Sequence, residues 1–169
     1  MFDAPLWRDY FVMVGGGAAA LTGLVFVAMS LHLSDIASDP THRHRARTIL
    51  TALTTVFIRC GLVLMGGQTA RAVGVEIFVV IVGVEVAVFR SLNEAFRGSG
   101  PAQAGVLFRT LGYAACLIIE QTGAAILFFG HTWGLYAVGG GMMASFLFIV
   151  SGAWLLLVGV DSQSRRMTP

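Results

Sequence analysis

Five long, predominantly apolar blocks separated by short polar breaks dominate the chain. They run from about Phe11 to Leu33, Ile49 to Gln68, Ala72 to Phe89, Val106 to Phe129 and Trp133 to Val160. Each approaches or exceeds the roughly 20 residues that a helix needs to cross a bilayer at a rise of about 1.5 Å per residue. The third block is rich in Val and Ile and reads as a strand by propensity alone. An open strand in lipid leaves its backbone unpaired, so helix is expected there too. The first block follows Arg8 near the N-terminus, as a secretory signal would. Its apolar stretch of roughly 23 residues exceeds the 7–15 of a signal core, and four more spans follow, so it is read as an uncleaved helix. The expected architecture is all-α, an integral membrane bundle of about five transmembrane helices forming one domain over residues 1–169.

Composition sharpens this expectation. Of 169 residues, 56% are hydrophobic and 12% charged, and the mean hydropathy is +0.80. A water-soluble domain carries about 25% charge, so a soluble fold is excluded. Disorder is excluded on the same grounds, and two cysteines do not make a disulfide scaffold. The net charge of +2 is built from arginine alone. The absence of lysine removes Schiff-base and P-loop chemistry, and the basic excess is too small and scattered for nucleic acid. Arginine without lysine, with abundant Ala, Gly and Val, matches the codon usage of a GC-rich bacterial genome.

The arginines also set an orientation. Arg43, Arg45 and Arg47, then Arg90 and Arg97, then Arg165 and Arg166 fall on one side of the expected bundle, against only Arg8 and Arg71 on the other. The positive-inside rule therefore puts the N-terminus outside and the C-terminus inside a bacterial plasma membrane. Trp7, Tyr10, Trp133 and Tyr136 then collect at the outer interface.

Small residues recur at helical spacing. Gly15, Ala19 and Gly23 form a ladder on the first helix, and Gly134, Gly141, Ser145, Gly152 and Gly159 share a face of the fifth. Such stripes let helix backbones approach closely in lipid. The glycine triplets Gly15 to Gly17 and Gly139 to Gly141 would alternatively line a cavity. Thr48, Ala52, Thr55, Arg59 and Gly66 align on the second helix, and Arg109, Tyr113, Cys116, Glu120 and Ala124 on the fourth. Both faces are expected to look inward.

The intramembrane charges are the main chemical candidates, because a charge at a helix centre costs about 2.5–3.5 kcal/mol on insertion scales unless it is paired or hydrated. Counting inward at about 1.5 Å per residue, Arg59, Glu76 and Glu120 reach a common layer roughly 16–21 Å from the inner face. Glu85, roughly 7 Å up, belongs with Arg109 or Arg90 at the inner rim. Two carboxylates with one arginine leave a surplus carboxyl able to take up a proton. The group therefore reads either as a structural ion pair fixing helix register or as a proton or small-ion site.

Other constellations fail. His32 and His131 fall at opposite ends of the expected bundle, and His42 and His44 flank Arg43, so no metal or haem site is expected. Cys60 and Cys116 sit isolated in mid-span, where they read as small apolar fillers rather than a redox pair. Ser151 stands twenty residues from His131 along one helix, about 30 Å by rise. That histidine does not reach it as a base.

The stretch FVMVGGGAAALTGLVFVAMSLHL, with Gly74-Val75-Glu76 following Gly67-Gln68 and Gly134-Leu135-Tyr136 opening a last span that holds Trp154, resembles a group of small, uncharacterised bacterial multi-pass membrane proteins. The chain has Gly66-Gly67-Gln68 where that group favours Pro-Gly-Gln, and Gly159 where an acidic residue is expected. The resemblance implies a membrane location and no activity. The expected role is structural or regulatory, through the bilayer and either a second copy or another membrane protein. No catalysis, cofactor or metal is expected, and proton or small-ion transport through Arg59, Glu76 and Glu120 is the alternative.

Overall fold

The computed structural model describes residues 4–31, 33, 40–97 and 103–167. These form five helices: α1 (Ala4–Leu31), α2 (Pro40–Leu64), α3 (Ala70–Arg97), α4 (Gln103–Phe128) and α5 (Gly134–Met167). Each holds a segment long and apolar enough to cross a membrane: Leu6–Leu31, Ala46–Leu64, Ala70–Arg90, Leu107–Phe128 and Gly134–Leu155. The second span ends earlier than its apolar block, because Met65 to Gln68 belong to the turn before α3. The Val-rich third block is helical, since only a helix satisfies its backbone within one segment.

Local chemistry marks the ends. Pro40 opens α2, where its missing N–H costs nothing. Gly67 has φ +80° in the turn to α3, and the Thr69 hydroxyl caps α3 by accepting from the Ala72 amide at 3.3 Å. At the end of α4, Gly130 takes φ +89°. Its amide donates to Leu127 O at 2.8 Å and the His131 amide to Ile126 O at 3.2 Å. That pattern is a Schellman stop, which needs a left-handed residue and hence favours glycine.

Helices α2 to α5 form a four-sided ring in which each packs on its sequence neighbour and α5 closes on α2, while α1 lies outside against α2 and α5. Across the α2–α4 diagonal, no two Cα atoms of the described residues approach within 8 Å. The ring has two distinct ends. One carries Arg43, Arg47 and Arg90 and is called here the arginine-rich end. At the other, the aromatic end, the rings of Trp7 and Tyr136 meet edge to face at 4.7 Å, and the Tyr10 hydroxyl donates to Gly139 O at 2.6 Å.

The core follows helical stripes. On α1 the buried positions are Phe11, Val14, Ala18, Val25 and Met29, and on α3 Val73, Ile77, Ile81, Val84 and Val88. Large apolar side chains such as Leu24, Phe26, Val79, Phe89 and Leu147 point outward. An apolar exterior of this kind suits lipid rather than water.

Candidate functional site

The largest fully buried side chain among the described residues is Arg59. It projects from α2 across the open diagonal to Glu120 of α4, and both have 0% exposure. Arg59 Nη1 donates to Glu120 Oε2, while Nε donates to Thr55 O one turn back, at 3.1 Å. The second carboxylate oxygen, Oε1, accepts from the Ser145 hydroxyl of α5 at 3.1 Å. Three helices of the ring thus meet through one charge pair. Guanidinium suits this place because it stays charged and offers several donors in a fixed plane.

Glycine admits the carboxylate. A Cβ at Gly141 would collide with Glu120 Cγ and lie 3.1 Å from Cys116 O. Around the pair, Val56, Leu117, Val138 and Met142 are fully buried. Cys60 and Cys116 are buried free thiols, with Cys60 Sγ 4.0 Å from Met142 Sδ.

Two polar atoms beside the pair lack partners. Arg59 Nη2 and the Tyr113 hydroxyl are both buried without a hydrogen bond. A buried group left unmet costs about 1–3 kcal/mol. The side chain of Thr55, half-buried, lies beside the Tyr113 hydroxyl.

The other charges expected at this layer go elsewhere. Glu76 lies at the edge of the buried stripe of α3, half-buried, and both its oxygens accept from Gln68 Nε2, at 3.0 and 2.8 Å. Depth allows Glu76 to meet Arg59, but the rotation of α3 turns Val73 and Ile77 to the core instead. Glu85 and Arg109 are each half-buried, and the Arg59–Glu120 pair is the sole ion pair among the described residues. Glu85 shares a shallow groove with Val82, Val86, Phe89 and Arg90, all on α3.

The small-residue faces divide. Gly15 is buried with its would-be Cβ 3.0 Å from Cys60 Cβ, whereas Gly23 has nothing within 4 Å and Ala19 is exposed. On α5, Gly134 and Gly141 face α4 at close range, Ser145 binds Glu120, and Gly152 has nothing within 4 Å. Of the glycine triplets, Gly16, Gly17 and Gly140 are exposed. Sequence reasoning missed Gly123, Gly74 and Gly112, whose would-be Cβ atoms meet Gly134 O, Ala124 O and the Phe148 ring. It also placed Ser145 only in a packing stripe. A depth count inward from the α4–α5 turn brings Ser145 towards the layer of Glu120.

Among the described residues no group of three His, Cys, Asp or Glu side chains is placed to hold a metal ion. His131 is exposed in the α4–α5 turn, and Ser151 donates to Phe148 O at 2.9 Å. His32 lies outside the described residues, as do the side chains of His42 and His44 and the surroundings of Gly159 on α5.

Four apolar helices around a charge pair, with a fifth packed against two of them and all five long and apolar enough to cross a membrane, are compatible with a multi-pass α-helical membrane protein. No family model, curated protein or solved structure matches the chain.

Proposed function

We propose that this chain resides in the plasma membrane of a bacterium, N-terminus outside, and acts without catalysis, in a structural or regulatory role through other membrane proteins. The observation that carries this reading is the pair itself. Arg59 and Glu120 have no accessible surface, and the carboxylate is held from both sides by Arg59 and Ser145. A carboxyl that shuttles a proton needs a route to water on each side, whereas one that fixes helix register needs partners and burial. The arginine asymmetry supports the orientation. The resemblance to small bacterial multi-pass proteins supports the location. Helix α1 supports the partner role, because among the described residues it packs on α2 and α5 only and leaves Gly16, Ala19 and Gly23 facing outward.

The test is flux. Purified protein inserted in liposomes should pass no protons or small cations above the empty-liposome rate under an imposed gradient, between about pH 5 and 8. A flux that titrates with pH and disappears in Glu120→Gln would replace this reading with proton transport through the pair.

A further inference from the structure

The exposed face of α2 carries a shallow, open groove lined by Arg47, Leu50, Thr51, Thr54 and Thr55, with no contribution from a neighbouring helix. Arg47, Thr51 and Thr54 are exposed, as are Arg43 one turn before them and Ile58 one turn beyond. Steps of three and four residues keep Arg43, Arg47, Thr51, Thr54 and Ile58 on one side of the helix. Their chemistry changes in order along the axis. Arg43 stands just before the apolar span Ala46–Leu64 and Arg47 in its first turn, at the depth of lipid headgroups. Thr51 lies about 6 Å deeper and Thr54 about 4.5 Å deeper again, and Ile58 continues the face as apolar surface.

The polar groups at the shallow end are unmatched within the chain. Helix α2 has no acidic residue, and among the described residues Arg43 and Arg47 form no ion pair. The Thr54 hydroxyl donates to Leu50 O at 2.8 Å, whereas that of Thr51 makes no hydrogen bond within the described residues and has its proton to give.

We infer that this face binds one anionic phospholipid of the leaflet at the arginine-rich end. Its phosphate sits between Arg43 and Arg47, an ester carbonyl accepts from the Thr51 hydroxyl, and an acyl chain runs past Thr54 and Ile58. The order of groups selects the occupant. Guanidinium groups fork onto phosphate oxygens, the one available hydroxyl proton meets the acceptor that a glycerol ester places next, and apolar surface follows. A free phosphate would leave the deeper half bare. An acidic helix of another protein would offer Thr51 no acceptor, because its backbone carbonyls are taken up within that helix. A second groove at the same end supplies the contrast: Arg90 lines it with Val82, Val86 and Phe89, but so does Glu85, about 7.5 Å along α3 from Arg90. A carboxylate there opposes an anionic lipid, so α3 does not share the preference. The inference goes beyond the proposed function and stands whether or not the bundle passes ions.

Native mass spectrometry of the full chain in detergent, stripped of lipid and titrated with phosphatidylglycerol or with phosphatidylcholine of the same acyl chains, reads the site. The first phosphatidylglycerol should bind at least about fivefold more tightly than phosphatidylcholine, the factor that one arginine contributes towards an anionic surface. Arg43→Gln and Arg47→Gln should each remove most of that preference. Arg90→Gln, which takes the same charge from the same end, should leave it within about twofold. Thr51→Val should weaken both lipids alike, since both carry the ester. All four side chains are exposed, and circular dichroism checks that each variant is folded. Equal binding of the two lipids overturns the site. So does an equal loss in Arg47→Gln and Arg90→Gln, which would spread the preference over the whole charged rim. Binding unchanged in Thr51→Val would take the lipid out of the groove, and displacement by millimolar inorganic phosphate would make the arginines a free-anion site; either result overturns the proposal.

Discussion

Along the seam between α4 and α5 the backbones come so close that a Cβ at Gly123 would lie 2.6 Å from Gly134 O and 2.8 Å from the Val138 amide. Across the α2–α4 diagonal the backbones stay apart, and Arg59 and Glu120 fill the gap. The two regions hold helices together by opposite means. The seam works through the absence of side chains, so its energy is spread over many small dispersion contacts and each residue matters modestly. The diagonal concentrates its energy in two charges, each of which makes the other tolerable in a dry interior. Loss at the seam should therefore be graded, and loss at the diagonal should be steep and conditional on the partner.

The steepest effect tests that conditionality. Glu120→Gln leaves Arg59 charged and buried without its counter-ion, which should cost about 3–5 kcal/mol. The same change at Asp9, an exposed carboxylate on α1, should move stability by no more than about 0.5 kcal/mol. Unfolding by sodium dodecyl sulfate, followed by circular dichroism, measures both. The double variant Arg59→Met, Glu120→Leu should recover most of the loss, because apolar residues of similar volume often replace a buried pair at little cost. A double variant as unstable as the single one would mean that shape, rather than charge, holds the diagonal.

At the seam, Gly123→Ala adds one methyl that meets backbone on α5 rather than a movable side chain. The helices must separate slightly, at a cost of about 1–3 kcal/mol. Gly140→Ala, with nothing within 4 Å, supplies the matching control on α5. If the two alanine variants unfold alike, the close approach at Gly123 contributes nothing, and the contrast with the diagonal loses one side.

The legibility of these regions from sequence differs for a physical reason. Five spans were readable because the bilayer fixes both the length and the apolarity of a crossing helix. Arg59 and Glu120 were readable as members of one layer, because depth is arithmetic along the helix axis. Glu76 was assigned to that layer too, yet it binds Gln68. Axial depth says nothing about which way a helix is rotated, and rotation is set by the whole stripe from Val73 to Val88. Glycines suffered from the same ambiguity. Gly15 and Gly23 share a spacing pattern, but only Gly15 lies on the face that meets α2, and nothing local to the ladder distinguishes them.

That pair of glycines gives the finest test. At Gly15 an added Cβ would stand 3.0 Å from Cys60 Cβ, so α1 or α2 must yield a few tenths of an ångström, at a cost of about 1 kcal/mol. At Gly23 the methyl would enter open space on the outer face of α1. The stability of the isolated protein should then stay within about 0.5 kcal/mol of the parent, as for a surface change. The two variants also separate packing within the chain from packing between chains. Gly15→Ala should lower stability in dilute detergent, where each molecule is alone. Gly23→Ala should be silent there and weaken association only in the bilayer, read as reduced energy transfer between labelled copies or reduced co-purification of a membrane partner. A Gly23→Ala variant destabilised in dilute detergent would place that face against the chain's own helices, and the outward surface of α1 would no longer distinguish this helix from the ring it leans on.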